Sequence, residues 1–184
     1  MEFVSPYIVF SAPSGGGKTT IVQHLAKKYD NLKISISATT RKKRPDEVDG
    51  IAYHFLSKDQ FEQKIKSGCF LEYEIVHGDY YGTLKESVND LVKSGNSVLF
   101  DIDVNGALSI KMHYPEAILI FIAPPSLDVL KERLVARKSE SSESVENRLK
   151  RIKYEYEKAD SFDFKVINDQ LDATIEEVEQ LIVR

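Results

Sequence analysis

The residues with the clearest chemical meaning are a lysine and a threonine at the end of a glycine run, Ala12-Pro13-Ser14-Gly15-Gly16-Gly17-Lys18-Thr19-Thr20. Successive glycines let the backbone turn several N–H groups toward one point, and a helix starting there adds the positive end of its dipole, so phosphate is the expected occupant. Lys18 is placed to reach the β and γ phosphates of a nucleoside triphosphate, and the Thr19 hydroxyl to hold a magnesium ion. The strict pattern has glycine where this chain has Ala12. The phosphate-loop reading rests on context: the apolar run Tyr7-Ile8-Val9-Phe10-Ser11 before it and Ile21-Val22-Gln23-His24-Leu25-Ala26 after it give strand, loop and helix. Without that context the same residues would be a glycine-rich turn with an exposed lysine.

A second anion site is suggested by Ser35 to Pro45, which ends a strand in hydroxyls and then places Arg41, Lys42, Lys43 and Arg44 in succession. Arg41 and Arg44 each offer a planar fork to phosphate oxygens, whereas Lys42 and Lys43 read equally well as solvated loop charges. Two phosphate elements in one small chain point to phosphoryl transfer between nucleotides. In Phe70-Leu71-Glu72-Tyr73-Glu74, strand alternation sends Leu71 and Tyr73 one way and Phe70, Glu72 and Glu74 the other. One of these carboxylates facing a ligand would suit guanine, whose N1–H and 2-amino group are adjacent donors, and would repel adenine, which has an acceptor at N1. Plain solvent exposure is the competing reading. Tyr80-Tyr81-Gly82-Thr83 adds phenol and hydroxyl donors beside a glycine that a ligand can approach closely, or is an ordinary turn.

Asp101-Ile102-Asp103 ends another apolar run, which puts two carboxylates at the carboxyl edge of a parallel strand, where ligands bind; the expectation is that they lie on opposite faces. Asp101 is placed for a magnesium ion or its water and Asp103 for the acceptor, unless either merely caps the next helix. Arg133, Arg137 and Arg148 can close onto a migrating phosphoryl group, or form a solvated helix face paired with Glu132, Glu140 and Glu146.

The elements that must position these groups alternate. Buried strands are expected at 7 to 11, 33 to 37, 97 to 102, 117 to 122 and 163 to 167, and helices at 18 to 29, 84 to 93, 126 to 137 and 171 to 183. This is an α/β chain with a parallel sheet. Residues 38 to 83 differ in texture, with two short β-like pieces and a helix from about 58 to 67; they read as an inserted subdomain. The polar stretch from 126 to about 159 reads as a second insertion. At 184 residues and 42% hydrophobic content the chain can bury a core as one domain. Its 25 basic and 29 acidic residues argue against a general nucleic-acid or acidic-membrane surface, so any anion site is local. No apolar run reaches membrane-spanning length, and no cleaved leader is expected. With Cys69 as the one cysteine, expected in the core, no internal disulfide forms, which fits a reducing cytoplasm. The four histidines show no ligand spacing.

Together these residues resemble guanylate kinases over nearly the whole chain. The resemblance is carried by Ser37 through Pro45 with Glu47, Gly50, Tyr53 and Phe55; by Glu72; by Tyr80 to Thr83; by Asp101-Ile102-Asp103; by Ala123-Pro124-Pro125-Ser126; and by Arg133, Arg137, Arg148-Leu149 and Asn168-Asp169. It implies a phosphate-loop NTPase-type three-layer core (1–37, 84–125 and 160–184), a small mixed α/β insertion for the nucleoside monophosphate (38–83) and a helical lid (126–159). It further implies ATP at Pro13, Ser14, Gly15, Gly16, Gly17, Lys18, Thr19 and Thr20, with Asn168 near the adenine. GMP falls to Ser37, Arg41, Arg44, Tyr53, Glu72, Tyr81, Thr83 and Asp103, and magnesium to Thr19 and Asp101. Catalysis falls to Lys18, Arg41, Arg133, Arg137 and Arg148. Ala12, Asn105 and Lys138 depart from the usual pattern, and none removes a charge that transfer needs. The expected partners are ATP and GMP, with no nucleic acid, membrane or obligate protein partner. A guanylate-kinase-like binding module and a kinase for AMP, CMP or dTMP are the competing functions. Retention of Lys18, Thr19, Asp101 and the arginines opposes the first, and Ser37, Glu72 and Thr83 oppose the second.

Overall fold

The computed structural model describes residues 1–76, 78–126, 129 and 145–184. Its main sheet holds five parallel strands in the order β2-β7-β1-β8-β9: β1 (Tyr7–Ser11), β2 (Leu32–Ile34), β7 (Ser97–Asp101), β8 (Ile118–Ala123) and β9 (Phe164–Ile167). Every residue of β1 is buried, as a central parallel strand covered on both faces requires. Alternate residues feed two cores. Ile8, Phe10, Leu99, Ile120 and Ile122 meet Ile21, Val22 and Leu25 of α1 (Lys18–Lys28) and Ile175, Val178 and Ile182 of α6 (Leu171–Ile182). On the opposite face Val9, Val98, Phe100 and Leu119 meet Val88 of α3 (Lys85–Lys93) and Ala107 and Ile110 of α4 (Val104–His113). The result is the expected three-layer α/β core with a parallel sheet.

A second sheet of four strands runs β4-β3-β6-β5, from β3 (Ala38–Thr39), β4 (His54–Phe55), β5 (Phe70–Val76) and β6 (Asp79–Leu84). Its own small core is Ala38, Phe61 and Phe70, with Phe61 of α2 (Lys58–Lys66) stacked on Phe70 at 4.3 Å and on Tyr80 at 5.1 Å. The last described helix before β9 is α5 (Val145–Ala159).

Several expectations change. The strand expected at 33 to 37 is β2, which stops at Ile34; residues 35 to 37 are not in a strand, and β3 of the second sheet begins at Ala38. Helix α4 was not anticipated. Of β9 only Val166 is buried, because this strand forms the sheet's edge. Cys69 is half-buried in the turn before β5 rather than in the core. Leu71 joins the main core while Tyr73 is exposed, because the pairing of β5 with β6 shifts register between Phe70 and Glu72. The helix expected at 126 to 137 lies almost wholly outside the described residues.

Candidate active site

β1 and β7 end side by side, with Phe10 beside Asp101, and Ser11 lies beside Phe121, two residues before β8 ends. The loop after β1 and the Asp101–Asp103 segment therefore meet at one sheet edge. Gly15 and Gly17 have φ of +86° and +89°, in the left-handed region open to glycine. No side chain caps α1 and no acidic residue occupies its first turn, so its leading N–H groups remain for an anion. Lys18 Nζ donates to the Ile102 carbonyl at 2.7 Å and lies 2.6 Å from Asp101 Oδ1. The Thr19 hydroxyl donates to Asp101 Oδ2 at 2.7 Å. A hydroxyl and a carboxylate this close supply hard oxygen donors that fit magnesium, which keeps waters and phosphate oxygens for its remaining positions. Among the described residues no group of three or more His, Cys, Asp or Glu side chains is gathered to hold a metal without such help.

In the loop after β3, the Arg41 guanidinium donates to Glu47 Oε1 at 2.6 Å and sits over the rings of Tyr53 and Phe55 at 5.3 and 5.8 Å. Glu47 Oε2 accepts from the Arg44 backbone N–H, which closes this loop on itself. The hydrogen bond from Arg41 holds the Glu47 carboxyl below the usual range, and burial pushes the Tyr53 phenol up. The rings of Tyr53 and Tyr81 meet edge to face at 5.9 Å. Arg44, Lys42 and Lys43 have exposed side chains.

Glu72 and Thr83 are direct cross-strand partners, and the Thr83 hydroxyl donates to Glu72 Oε1 at 2.5 Å. Burial raises the Glu72 carboxyl to about 7; the Thr83 hydrogen bond opposes this, and the nearby Asp103 and Glu74 charges add to it. Burial likewise raises Glu74. Asp103 caps α4, its Oδ1 accepting from the Gly106 N–H at 2.8 Å, while still bordering the cleft. A side chain at Gly106 would stand 3.3 Å from Glu72 Oε2, so glycine there leaves the carboxylate its place. Gly82 admits the neighbouring strand, since a Cβ would stand 2.8 Å from the Glu72 carbonyl oxygen.

One cavity of about 390 Å³ is bordered by residues 12–20, Ser37, Tyr53, Glu72, Glu74, Tyr81 and Asp101 to Asp103, whereas Arg41 and Arg44 are not among the residues that line it. Asp101 and Asp103 thus share a wall instead of facing apart, as a two-residue separation near a strand end favours. Thr83 is buried behind Glu72, and Asn168 lies behind the glycine loop. Arg133, Arg137 and the side chain of Arg148 lie outside the described residues. Three lining residues are not signalled by the sequence: Val76 of β5, and Arg151 and Glu155 of α5, which are paired at 3.3 Å. Their four-residue spacing in sequence signals only a helix-surface ion pair.

The parallel core, the uncapped glycine loop and the cavity it opens onto are those of a phosphate-loop nucleoside-monophosphate kinase. The family model described as guanylate kinase matches residues 5–184, and the chain belongs to the guanylate kinase family. It is 47% identical over 179 residues to a guanylate kinase of Chlorobium luteolum, covering 97% of this chain and 91% of that protein. A guanylate kinase of Salinibacter ruber is 48% identical over 172 residues, covering 92% and 91% respectively. Among solved structures, the guanylate kinase from Anaplasma phagocytophilum superposes with a TM-score of 0.75 at 28% identity, covering 98% of this chain and 85% of that one.

Proposed function

We propose that the cleft transfers the γ-phosphoryl group of ATP to GMP, and to dGMP, releasing ADP and GDP or dGDP respectively. The observation that carries this reading is that Lys18, Thr19 and Asp101 border the same cavity as Glu72, whose carboxylate Thr83 holds from behind. Residues Pro13 to Thr20 cradle the triphosphate, and Lys18 draws charge from its β and γ oxygens. Magnesium, held through Thr19 and Asp101, supplies further neutralisation of phosphate charge when bound. Arg41, Arg44, Tyr53 and Tyr81 grip the GMP phosphate, with Glu47 and the aromatic rings holding the Arg41 fork in place. Glu72, with Ser37, Thr83 and Asp103, reads the guanine edge.

The attacking phosphate oxygen is already ionised near neutral pH, since its second pKa is about 6, so no general base is needed. Rate enhancement then comes from alignment and charge neutralisation. Arg133, Arg137 and Arg148 join that neutralisation on the strength of the family resemblance. No helix of the described residues is long and apolar enough to cross a membrane. A cytoplasmic site of action follows from the substrates and from Cys69 being the only cysteine.

The test is ADP release by the purified chain with magnesium and ATP, offered GMP, dGMP, AMP, CMP or dTMP. Turnover confined to the guanine nucleotides is expected. Equal turnover with another base would remove the assigned role of Glu72.

A further inference from the structure

The sequence resemblance puts Asn168 near the adenine, and its side-chain amide also bonds the glycine loop. We propose that Asn168, held by Thr174, is a positioning residue that fixes the peptide between Gly16 and Gly17 so that the loop presents its N–H groups to phosphate. This inference rests on the phosphate-site reading above.

Asn168 is 5% exposed and Thr174 2%. The Asn168 Nδ2 donates to the Gly16 carbonyl at 2.8 Å, and its backbone N–H, just past the end of β9, donates at 2.7 Å to the carbonyl of Ala123, the last residue of β8. The Thr174 hydroxyl lies 3.2 Å from Asn168 Oδ1, 2.9 Å from the Gln170 carbonyl and 3.4 Å from the Ile167 carbonyl, so its one proton is shared among three acceptors. The amide has one workable orientation, because turning it over would set its oxygen against the Gly16 carbonyl. Gly17 is shaped to admit it: a Cβ there would stand 2.2 Å from Asn168 Nδ2.

The consequence follows from peptide geometry. In a planar trans peptide the carbonyl and the next residue's N–H point in opposite directions. Holding the Gly16 carbonyl toward Asn168 therefore turns the Gly17 N–H away from it. Gly16 and Gly17 border the main cavity, and neither Asn168 nor Thr174 does. Without the clamp, this peptide has two glycines to rotate about, and a turned carbonyl would repel phosphate. A buried carbonyl left without a donor also resists staying where it is.

The two roles for Asn168 separate with a ligand that has no base. Calorimetric titration of the wild-type chain, Asn168→Ala, Thr174→Val and Thr174→Ser with ATP and with inorganic tripolyphosphate measures this directly. The clamp predicts that Asn168→Ala weakens both ligands by the same factor, about tenfold or more. Thr174→Val should weaken both by a smaller common factor, and Thr174→Ser should restore both. Weakening of ATP alone, or unchanged affinity for both ligands in Asn168→Ala, overturns the proposal. If Asn168→Ala does not fold, Thr174→Val decides by the same comparison, since it leaves the cavity wall untouched. Wild-type transfer to GMP, measured on the same preparation, reports separately on the function itself.

Discussion

Lowering the pH from 8 to 6 should weaken GMP by way of Glu72. Only the ionised carboxylate accepts both donors of the guanine edge, and burial holds this carboxyl at about 7. The ionised fraction is then about 0.9 at pH 8 and about 0.1 at pH 6, so the apparent KM for GMP should rise about tenfold while that for ATP stays level. The GMP phosphate, with its second pKa of about 6, adds a smaller rise over the same range. Glu72→Gln separates the two contributions, because it keeps the phosphate and removes the titrating carboxyl. That variant should lose on the order of a thousandfold or more in kcat/KM for GMP, since an amide donor now faces a guanine donor, and its remaining pH dependence should be the phosphate's alone.

Stability should move the opposite way. Between the ordinary carboxyl value of 4.5 and about 7, the folded chain holds a proton that the unfolded chain has released. Stability without nucleotide therefore falls as pH rises through that window, by on the order of 3 kcal/mol. Glu72→Gln abolishes that loss and should melt higher than wild type at pH 8. Initial rates at varied GMP, with thermal melts, read both effects. A KM for GMP that is flat from pH 6 to 8, or the same profile in Glu72→Gln, would refute the reasoning.

Lys18→Ala should lower kcat by on the order of a hundredfold or more with little change in KM for GMP, and a near-normal rate would remove the role given to Lys18. Arg41→Lys keeps the charge but loses the fork that meets Glu47, so the KM for GMP should rise about tenfold; an unchanged KM would mean that the fork is not used. Arg151→Ala removes a cation from a wall that also carries Glu74, Asp103 and Glu155. It should weaken nucleotide binding a few-fold, more at low salt than at high, and equal loss at all salt concentrations would count against an electrostatic origin. Phe61→Ala empties the small core beneath the second sheet and should cost about 3–5 kcal/mol of stability by chemical denaturation.

What could be read from the sequence followed from local signals. The β1, loop and α1 unit announces itself through a change from a continuous apolar run to glycine and then to helical spacing. Glu72 and Thr83 were singled out separately, yet their pairing depends on a hairpin register that the sequence does not display. Helix α4 escaped because it carries Gly106 and packs apolar residues into two clusters, so no single stripe stands out. Strands β3 and β4 are two residues each, too short for any period to show. Asn168 reaches a carbonyl 152 residues away, a contact with no local trace. Asp101 and Lys18 lie in separate motifs, and the parallel register of β1 and β7 makes them one site.

The central claim, that one cleft passes a phosphoryl group between two nucleotides, is tested most directly by following the group itself. With γ-labelled ATP, magnesium and enzyme in excess, a single turnover in the presence of GMP should place the label in GDP, with negligible free phosphate. Label appearing as inorganic phosphate at the same rate with and without GMP, or remaining on ATP, would contradict the account.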